Sequence, residues 1–327
     1  MVGLSRLAAA AALCLAAAPA VCEEQAGARF ADAFLEGDVD ALWAAMTPEM
    51  KEAVSSRETF EEIRAEILAE LGEEVAVRAE ITTHEGGLEI YRRIGRWSGT
   101  DRPVEIRITL DAAGNVAGFW VRPQAVAVES RFLDYRTKAD LRLPVSGKWY
   151  VVWGGRSVEE NYHAVDPAQR FAMDLLVLED GESFAGDRTD LSSYHCWGRE
   201  VRAPAAGKIV RAVGDLSDQP IDATDATHPA GNHVVIDFGS GEFGFLAHFQ
   251  AGSVAVAEGD TVGAGDLLGL CGNSGNTTEP HLHFHLQTTP ILGDGEGLPA
   301  QFLDYVADGG DVARGEPARG QTVSPAK

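Results

Sequence analysis

Three histidines alternate along one short stretch of this 327-residue chain. His281, His283 and His285 are separated by Leu282 and Phe284. In a β-strand, residues two apart point to the same face, so the three imidazoles would line one surface while the apolar residues fill the other. Neutral imidazole is a good zinc ligand, and three imidazoles on one face are an unusual way to build an apolar core. The spacing therefore indicates a metal site on a strand.

Other short motifs precede this strand in a fixed order. They are Phe171-Ala172-Met173-Asp174-Leu175, Ala203-Pro204-Ala205-Ala206-Gly207, Gly231-Asn232-His233, Leu246-Ala247-His248-Phe249, the Val256 to Gly265 segment and Gly272-Asn273-Ser274-Gly275, followed by Glu279-Pro280-His281-Leu282-His283-Phe284. Each motif alone is a weak signal, but together and in this order they resemble the lysostaphin/LytM-type zinc metallopeptidases. The resemblance covers roughly residues 161–286.

The resemblance implies a role for most of these polar residues. Asp174 and His283 correspond to zinc ligands, while His248 and His281 correspond to the pair that holds the attacking water and stabilises the oxyanion. His285 is expected to support a ligand rather than to be one. The implied protein is a zinc metalloendopeptidase that holds one Zn²⁺ per chain. Its implied substrates are the stem or crossbridge peptides of peptidoglycan.

One position departs from the family pattern. The family usually places its first histidine ligand four residues before the aspartate, where this chain has Arg170. A guanidinium group stays charged and offers no lone pair, so Arg170 cannot bind the metal. We expect His163 to supply the third ligand, with His195 and His233 as competing candidates.

The same departure motivates a second hypothesis. A degenerate scaffold of this kind would bind or regulate cell-wall hydrolases instead of cutting the wall. The retention of four other site residues favours the peptidase. A third class, an unrelated metalloenzyme with a His-x-His strand, is disfavoured by the order of the motifs.

The rest of the chain predicts an α+β protein. Residues 26–125 are predicted as a small accessory domain of helices followed by a curved sheet, with one helix capped at Ser55 and ending at Gly72, and strands over 104–110 and 116–121. This pattern resembles the cystatin-like (nuclear-transport-factor-like) domains. Residues 130–305 are predicted as a mostly antiparallel β peptidase domain. Residues 306–327, rich in Gly, Pro and charge, are predicted to be a disordered tail.

The N-terminus predicts export. Residues 1–20 combine Arg6, a run of Ala and Leu, and small residues before a cleavage site, as in a signal peptide. The apolar run is shorter than the roughly 20 residues of a membrane span, and no later segment is long enough, so no stable membrane insertion is expected. Soluble export to the periplasm or the medium is favoured over a lipid anchor at Cys22, because Val21 is larger than the residue usual before a lipidated cysteine.

The amino-acid composition limits the classes of partner that the chain is expected to bind. The chain carries 27 basic and 50 acidic residues, a balance that excludes nucleic acid as an expected partner. In an oxidising compartment, Cys196 and Cys271 are the pair expected to form a disulfide, with three buried free thiols as the alternative.

Overall fold

A computed structural model describes residues 26–326 of the chain. The chain divides into two compact units, the first ending at Gln124 and the second beginning at Ala125. The predicted signal peptide and Cys22 lie outside the described residues. Among residues 26–326, no helix combines the length and the apolar character needed to cross a membrane.

Four helices open the first unit. They are α1 (Ala26–Glu36), α2 (Val39–Ala45), α3 (Pro48–Val54) and α4 (Arg57–Leu71). The side chain of Ser56, rather than the predicted Ser55, accepts a hydrogen bond from the Thr59 N–H and caps α4. Ser55 instead ends α3 with a positive φ of 78°. Gly72 ends α4 as predicted, also with a positive φ.

A four-stranded antiparallel meander completes the first unit. Its strands are β1 (Glu74–Glu85), β2 (Leu88–Trp97), β3 (Val104–Leu110) and β4 (Val116–Pro123), in that spatial order. One sheet face packs on the helices, where the Phe119 ring lies 5.1 Å from Phe34 and 5.6 Å from Phe60. Alternate residues of β3, including Ile106 and Ile108, are fully buried in the same core. The helix-plus-sheet prediction for this part of the chain is confirmed.

The second unit is built mainly from strands. They are β5 (Trp149–Trp153), β6 (Met173–Leu176), β7 (Glu200–Arg202), β8 (Gly207–Val213), β9 (Asn232–Asp237), β10 (Phe243–Phe249), β11 (Thr261–Val262), β12 (Leu267–Leu270), β13 (Leu282–Gln287), β14 (Gly297–Leu298), β15 (Phe302–Ala307), β16 (Gly310–Gly315) and β17 (Thr322–Pro325). The large sheet has the order β11-β8-β9-β10-β13-β6-β5-β17-β15-β16, with β14 beside β13, while β7 and β12 pair separately. All of these pairings are antiparallel. The predicted α+β class with a β-rich second domain is therefore confirmed.

The middle of the large sheet carries the polar residues. His283 on β13 pairs with Ala247 on β10 and with Asp174 on β6. The alternate residues Leu282 and Phe284 are buried in the hydrophobic core, as the alternation predicts. The core on one side of β13 thus fixes the direction of the histidines on the other.

A disulfide links Cys196 to Cys271 and confirms the expected pair. Cys271 follows β12, and its N–H donates to the carbonyl of Arg199. Closing 75 residues in this way removes denatured-state entropy worth about 4 kcal/mol. The bond fixes the chain immediately before the Gly272-Asn273-Ser274 turn.

The prediction of a disordered C-terminal tail is wrong. Strands β16 and β17 belong to the large sheet, and β17 lies between β5 and β15. Asp308 and Gly309, with φ values of 50° and 83°, connect β15 to β16. Asp-Gly is a strong hairpin signal because a tight two-residue turn requires positive φ at both positions. The high content of Gly, Pro and charged residues in 306–327 outweighed this hairpin signal in the prediction.

We expect β17 to stabilise the second unit. Val323 is fully buried, so Val323→Ala should lower the free energy of unfolding by about 1–3 kcal/mol. Thr322→Ala is the matched control, because Thr322 is its exposed neighbour on the same strand. Urea unfolding followed by tryptophan fluorescence measures both. Equal midpoints for the two variants would contradict the placement of this strand.

Candidate metal centre

A buried carboxylate lies at the centre of the site. Asp174 is 3% exposed, and its Oδ2 lies 3.0 Å from His163 Nε2 while its Oδ1 lies 2.8 Å from His283 Nδ1. His281 Nε2 is 3.8 Å from Oδ1. Burial by itself would raise the pKa of Asp174, but the neighbouring His163 and His281 and the hydrogen bond from His163 hold it well below its ordinary value. The group is therefore an anion in the folded protein.

His163 reaches the carboxylate from a short 3₁₀ helix, Tyr162–Val165. Asn161 caps this helix, because its Oδ1 accepts from the His163 N–H at 3.1 Å. The Asn161 Nδ2 donates to the carbonyl of Ala172 at 2.9 Å, just before β6. One fully buried amide thus ties the helix of His163 to the strand of Asp174.

Three alternate residues of β13 form a hydrogen-bonded series. His283 Nε2 lies 2.8 Å from His285 Nδ1, and His285 Nε2 lies 3.2 Å from Gln287 Oε1. The Gln287 Nε2 donates to the carbonyls of Thr289 and Ile291, each at 2.7 Å, which fixes its Oε1 as the acceptor. His285 must therefore donate through Nε2 and, when neutral, accept at Nδ1. His283 then donates through Nε2, which leaves a lone pair on its Nδ1.

His248 and His281 present their Nε2 atoms to the site. His248 Nδ1 donates to the carbonyl of Ser274 at 2.8 Å, and His281 Nδ1 donates to the carbonyl of Glu279 at 2.9 Å. Neutral imidazole has one donor and one acceptor, so each ring keeps a lone pair on Nε2. The two rings are 4.6 Å apart. Burial, followed by the positive fields of His281 and His283, lowers the pKa of His248 well below its ordinary value.

A β-bulge turns His248 towards the site. The register of β10 against β9 shifts between Ala247 and Phe249, and His248 has a φ of 66°. Bulges redirect a side chain in this way, and a positive φ at a non-glycine residue costs about 1–3 kcal/mol. The hydrogen bond to Ser274 helps to hold this conformation.

Two glycines allow the loops around Ser274 to meet. A Cβ atom on Gly231 would lie 2.1 Å from the Ser274 carbonyl oxygen, and one on Gly275 would lie 2.4 Å from the Gly231 nitrogen. Both residues also have positive φ, of 55° and 91°. Only glycine fits such a close backbone approach. The Ser274 carbonyl that accepts from His248 is positioned by this contact.

The donor set fits a metal ion. The ligand atoms of His163, Asp174 and His283 all lie within 4.8 Å of one another, and each residue is buried. Because the series through Gln287 leaves a lone pair on His283 Nδ1, that atom faces Asp174 Oδ1 with no hydrogen to share. Burial also lowers the pKa of His283, which opposes the protonation that would otherwise supply one. A bound cation satisfies both atoms at once.

The comparisons with known proteins agree with this geometry. Residues 190–294 match the model of peptidase family M23. The resemblance of the second unit to the lysostaphin/LytM-type peptidases is therefore confirmed. The search of curated proteins found no match. The cystatin-like resemblance of residues 26–125 stays a prediction.

Several solved structures are also similar to this chain. The catalytic domain of the antimicrobial peptidase lysostaphin from Staphylococcus simulans is 22% identical over 47% of this chain and 89% of its own, with a TM-score of 0.29. The M23 metalloprotease pseudoalterin, from the deep sea, is 19% identical over 51% of this chain and 83% of its own, with a TM-score of 0.30. A SpoIIQ–SpoIIIAH pore-forming complex matches at 16% identity over 50% of this chain and 89% of its own, with a TM-score of 0.32. These TM-scores are too low to support an inference about function.

The M23 match contains only part of the site. It includes His248, His281 and His283 but begins after His163 and Asp174. The structure brings all five predicted site residues together across this boundary. The competing candidates lie elsewhere: His195 is 3.8 Å from Glu179, and the ring of His233 bonds to the carbonyl of Gly231.

Arg170 stands where the resemblance implies a histidine ligand, and its side chain makes other contacts. It is 5% exposed, and its Nε donates to the carbonyl of Val128 at 2.9 Å while its guanidinium group lies over the Phe171 ring. The Val128 N–H donates in turn to the carbonyl of Ala164, at 2.8 Å, in the helix that carries His163. Arg170 thus supports, through Val128, the helix that carries His163.

Sequence reasoning missed three supporting residues: Asn161, Tyr162 and Gln287. Gln287 could have been predicted from the sequence, because it continues the i, i+2 spacing of His283 and His285 on the same face of β13. Tyr162, whose ring lies 3.9 Å from the His163 ring, and Asn161 gave no local signal beyond their proximity to His163.

We expect the metal-free second unit to lose stability in mild acid. Burial lowers the folded-state pKa of His248, His283 and His285, whereas an unfolded histidine titrates near 6.5. The unfolded chain therefore takes up protons first, and stability present above about pH 6.5 falls as the pH drops below it. Each histidine contributes up to about 1.4 kcal/mol per pH unit.

Urea unfolding in chelator between pH 8 and pH 5 measures this slope. His248→Asn should reduce it by up to about 1.4 kcal/mol per unit, and asparagine tolerates the positive φ at this position. The pKa of Asp174 lies below its ordinary value, so that group titrates below the measured range. An identical slope in wild type and variant would contradict the buried neutral state of His248.

Proposed function

We propose that the second unit is a zinc-dependent endopeptidase that hydrolyses stem or crossbridge peptides of peptidoglycan. One observation carries the proposal: His163 and His283 face the two oxygens of the buried Asp174, and the Nε2 of His281 lies close to the same carboxylate. The match to peptidase family M23 supports the reaction class. The substrate class follows from the resemblance to wall-cutting members of that family.

The ligands suit zinc. Two imidazole nitrogens and one carboxylate oxygen are donors that zinc accepts, and three protein ligands leave a fourth position open. A bound zinc ion supplies a Lewis acid that polarises a carbonyl group and lowers the pKa of water towards 7. With one carboxylate among the ligands, a bound zinc ion would keep a net positive charge. Asp174 accepts from His163 through Oδ2 and faces His283 Nδ1 through Oδ1.

His248 and His281 are suited to proton transfer. Each ring is held by a bond from Nδ1–H to a backbone carbonyl, so its Nε2 is available to accept a proton and then to donate it. The low pKa of His248 makes its protonated form a strong acid, which favours delivery of the proton to a leaving amine. The protonated ring also stabilises negative charge on the carbonyl oxygen under attack.

The surface around the site has room for an extended peptide. Two clefts share Tyr162 and Asn276, and His163 and His283 line one of them while Asp174 and His281 line the other. One is lined in part by Gln169, Phe245 and Leu292, and the other in part by Trp153, Thr278 and Glu279. A chain lying along both clefts would pass the Nε2 atoms of His248 and His281.

Export to the periplasm or the medium is part of the proposal. Peptidoglycan lies outside the cytoplasm, and the sequence of residues 1–20 fits a signal peptide. The Cys196–Cys271 disulfide supports an oxidising compartment.

We expect His283→Ala and His248→Asn to separate metal binding from catalysis. His283→Ala removes a ligand and should abolish both stoichiometric zinc and cleavage. His248→Asn leaves the ligands intact and should retain zinc while lowering kcat by about 10²–10⁴-fold, as removal of an acid–base group does. His84→Ala, on an exposed histidine of the first unit, is the control.

Purified crosslinked peptidoglycan is digested with and without a zinc chelator, and fragments are followed by mass spectrometry. Zinc is measured by elemental analysis of protein purified without added metal. Full cleavage by His283→Ala would refute the assigned centre. Absence of both zinc and cleavage in folded, zinc-supplied wild type would favour a scaffold that binds or regulates other hydrolases.

The hydrogen-bonded series on β13 makes a separate prediction. His285→Phe keeps an aromatic ring stacked on Phe245, which lies 4.5 Å away, but removes the acceptor for His283. We expect its zinc affinity to fall by about 10–100-fold, as for other supporting residues of metal sites. His285→Gln restores an acceptor and should recover most of the affinity. Chelator competition gives the dissociation constants, and equal affinities for Phe and Gln would contradict the role of the series.

A further inference from the structure

The first unit has a sheet face that the helices do not cover. Ile81, Arg92, Arg107 and Trp120 form one row across β1 to β4 in direct register. Their neighbours along the strands, such as Ile106, are buried against the helices on the opposite face. The row therefore belongs to the open face of the meander.

Trp120 lies flat on this face. It is 50% exposed, and a Cβ atom on Gly118 would lie 2.7 Å from its Cζ3. The six-membered ring of the indole thus occupies the space that a side chain at position 118 would take, and it leaves the rest of the indole to solvent. The guanidinium carbon of Arg107 is 5.8 Å from the ring centroid.

Positive charge is concentrated around this ring. Acidic residues outnumber basic ones in residues 26–124, yet the open face carries Arg92, Arg96, Arg107 and Arg122 with Glu105 among them. Arg92 pairs with Glu105 through two hydrogen bonds of 2.9 Å. Arg107 on the neighbouring strand and Arg122, two residues along β4, lie beside the indole, and Arg96 adds a third positive charge further along β2. Arg96 and Arg122 are exposed. We name Arg96, Arg107, Trp120 and Arg122 the Trp120 face.

We propose that the Trp120 face binds a saccharide strand that carries carboxylates. A single flat ring rimmed by charge suits a sugar, whose C–H face stacks on an aromatic ring while its polar edge stays hydrated. Guanidinium groups bind carboxylates through paired hydrogen bonds. A protein partner would instead require a contiguous apolar centre. Ile81, the other apolar residue of the row, is separated from Trp120 by Arg92 and Arg107, so the row does not provide one. The inference goes beyond the proposed peptidase activity and does not depend on the metal site.

Co-sedimentation with insoluble peptidoglycan tests the proposal. The mature full-length protein is used in chelator, which suppresses cleavage. We expect Trp120→Ala to weaken binding by about tenfold. A variant that combines Arg107→Ala and Arg122→Ala should weaken it at least as much, and should also reduce the salt dependence. Arg29→Ala, an exposed arginine on α1, is the matched control and should bind as wild type.

A second variant tests whether binding depends on where the indole lies, and not only on its presence. Gly118→Ala keeps the tryptophan but displaces the indole, because the added Cβ would overlap it. It should weaken binding in the same direction as Trp120→Ala while circular dichroism and melting stay near wild type. Wild-type binding by both Trp120→Ala and Gly118→Ala would overturn the proposal. Binding to vesicles of anionic lipid in place of peptidoglycan, with the same arginine dependence, would also overturn it.

Cleavage assays distinguish failure of this proposal from failure of the peptidase proposal. Trp120→Ala should leave cleavage of a small soluble crosslinked peptide unchanged and should slow digestion of insoluble wall. If the wild type binds the wall without cutting it, the peptidase proposal fails while the Trp120 face stands. If the wild type cuts the soluble peptide and Trp120→Ala digests the wall at the full rate, the Trp120 face fails while the peptidase stands.

Discussion

The candidate metal centre is organised around one buried negative charge. Asp174 is almost completely removed from solvent, and a carboxylate in that position is strongly destabilising unless cationic or donor groups surround it. Two histidines contact its oxygens and a third lies nearby. The arrangement is satisfied most fully when a cation shares the carboxylate with His163 and His283. Stability and the proposed chemistry thus depend on the same contact.

The surrounding structure fixes the direction of each imidazole. His283 is held through His285 and Gln287 on its own strand, whereas His248 and His281 are held by backbone carbonyls. His163 depends on the amide of Asn161 and lies in a helix braced through Arg170. For His283, His248 and His281 the ring nitrogen away from the metal centre is engaged, so the lone pair that faces the centre is predetermined. Such preorganisation is what a metal centre and an acid–base pair require.

The two units have different chemical characters. The second concentrates histidines, clefts and a buried anion, while the first presents an indole among arginines on an otherwise acidic chain. A peptidase acting on an insoluble polymer gains from a separate surface that raises its local concentration on that polymer. The Trp120 face has the composition for this task, and its arginines would offset the repulsion between an acidic enzyme and an anionic wall.

The sequence by itself determined the features that depend on nearby residues. The alternation of His281, His283 and His285 placed them on one face of a strand, because side-chain direction in a strand has a period of two. The motif order also identified Asp174 and His248, and the chemistry of arginine removed position 170 from the ligands. The sequence did not distinguish between two adjacent residues that could each cap α4: Ser55 was predicted, and Ser56 is the cap.

Tertiary structure decided what depends on contacts distant in sequence. Asp174 and His283 are 109 residues apart, and only the pairing of β6 with β13 brings them together. His163 lies at the carboxylate because Asn161 links its helix to the residue before β6. His248 points into the site because of a β-bulge, which no local sequence pattern predicts. Strand β17 is ordered because β5 and β15 offer it two partners, although its composition resembles a flexible tail. Sheet pairing is non-local, so these positions follow from the packing of the whole unit rather than from any short segment.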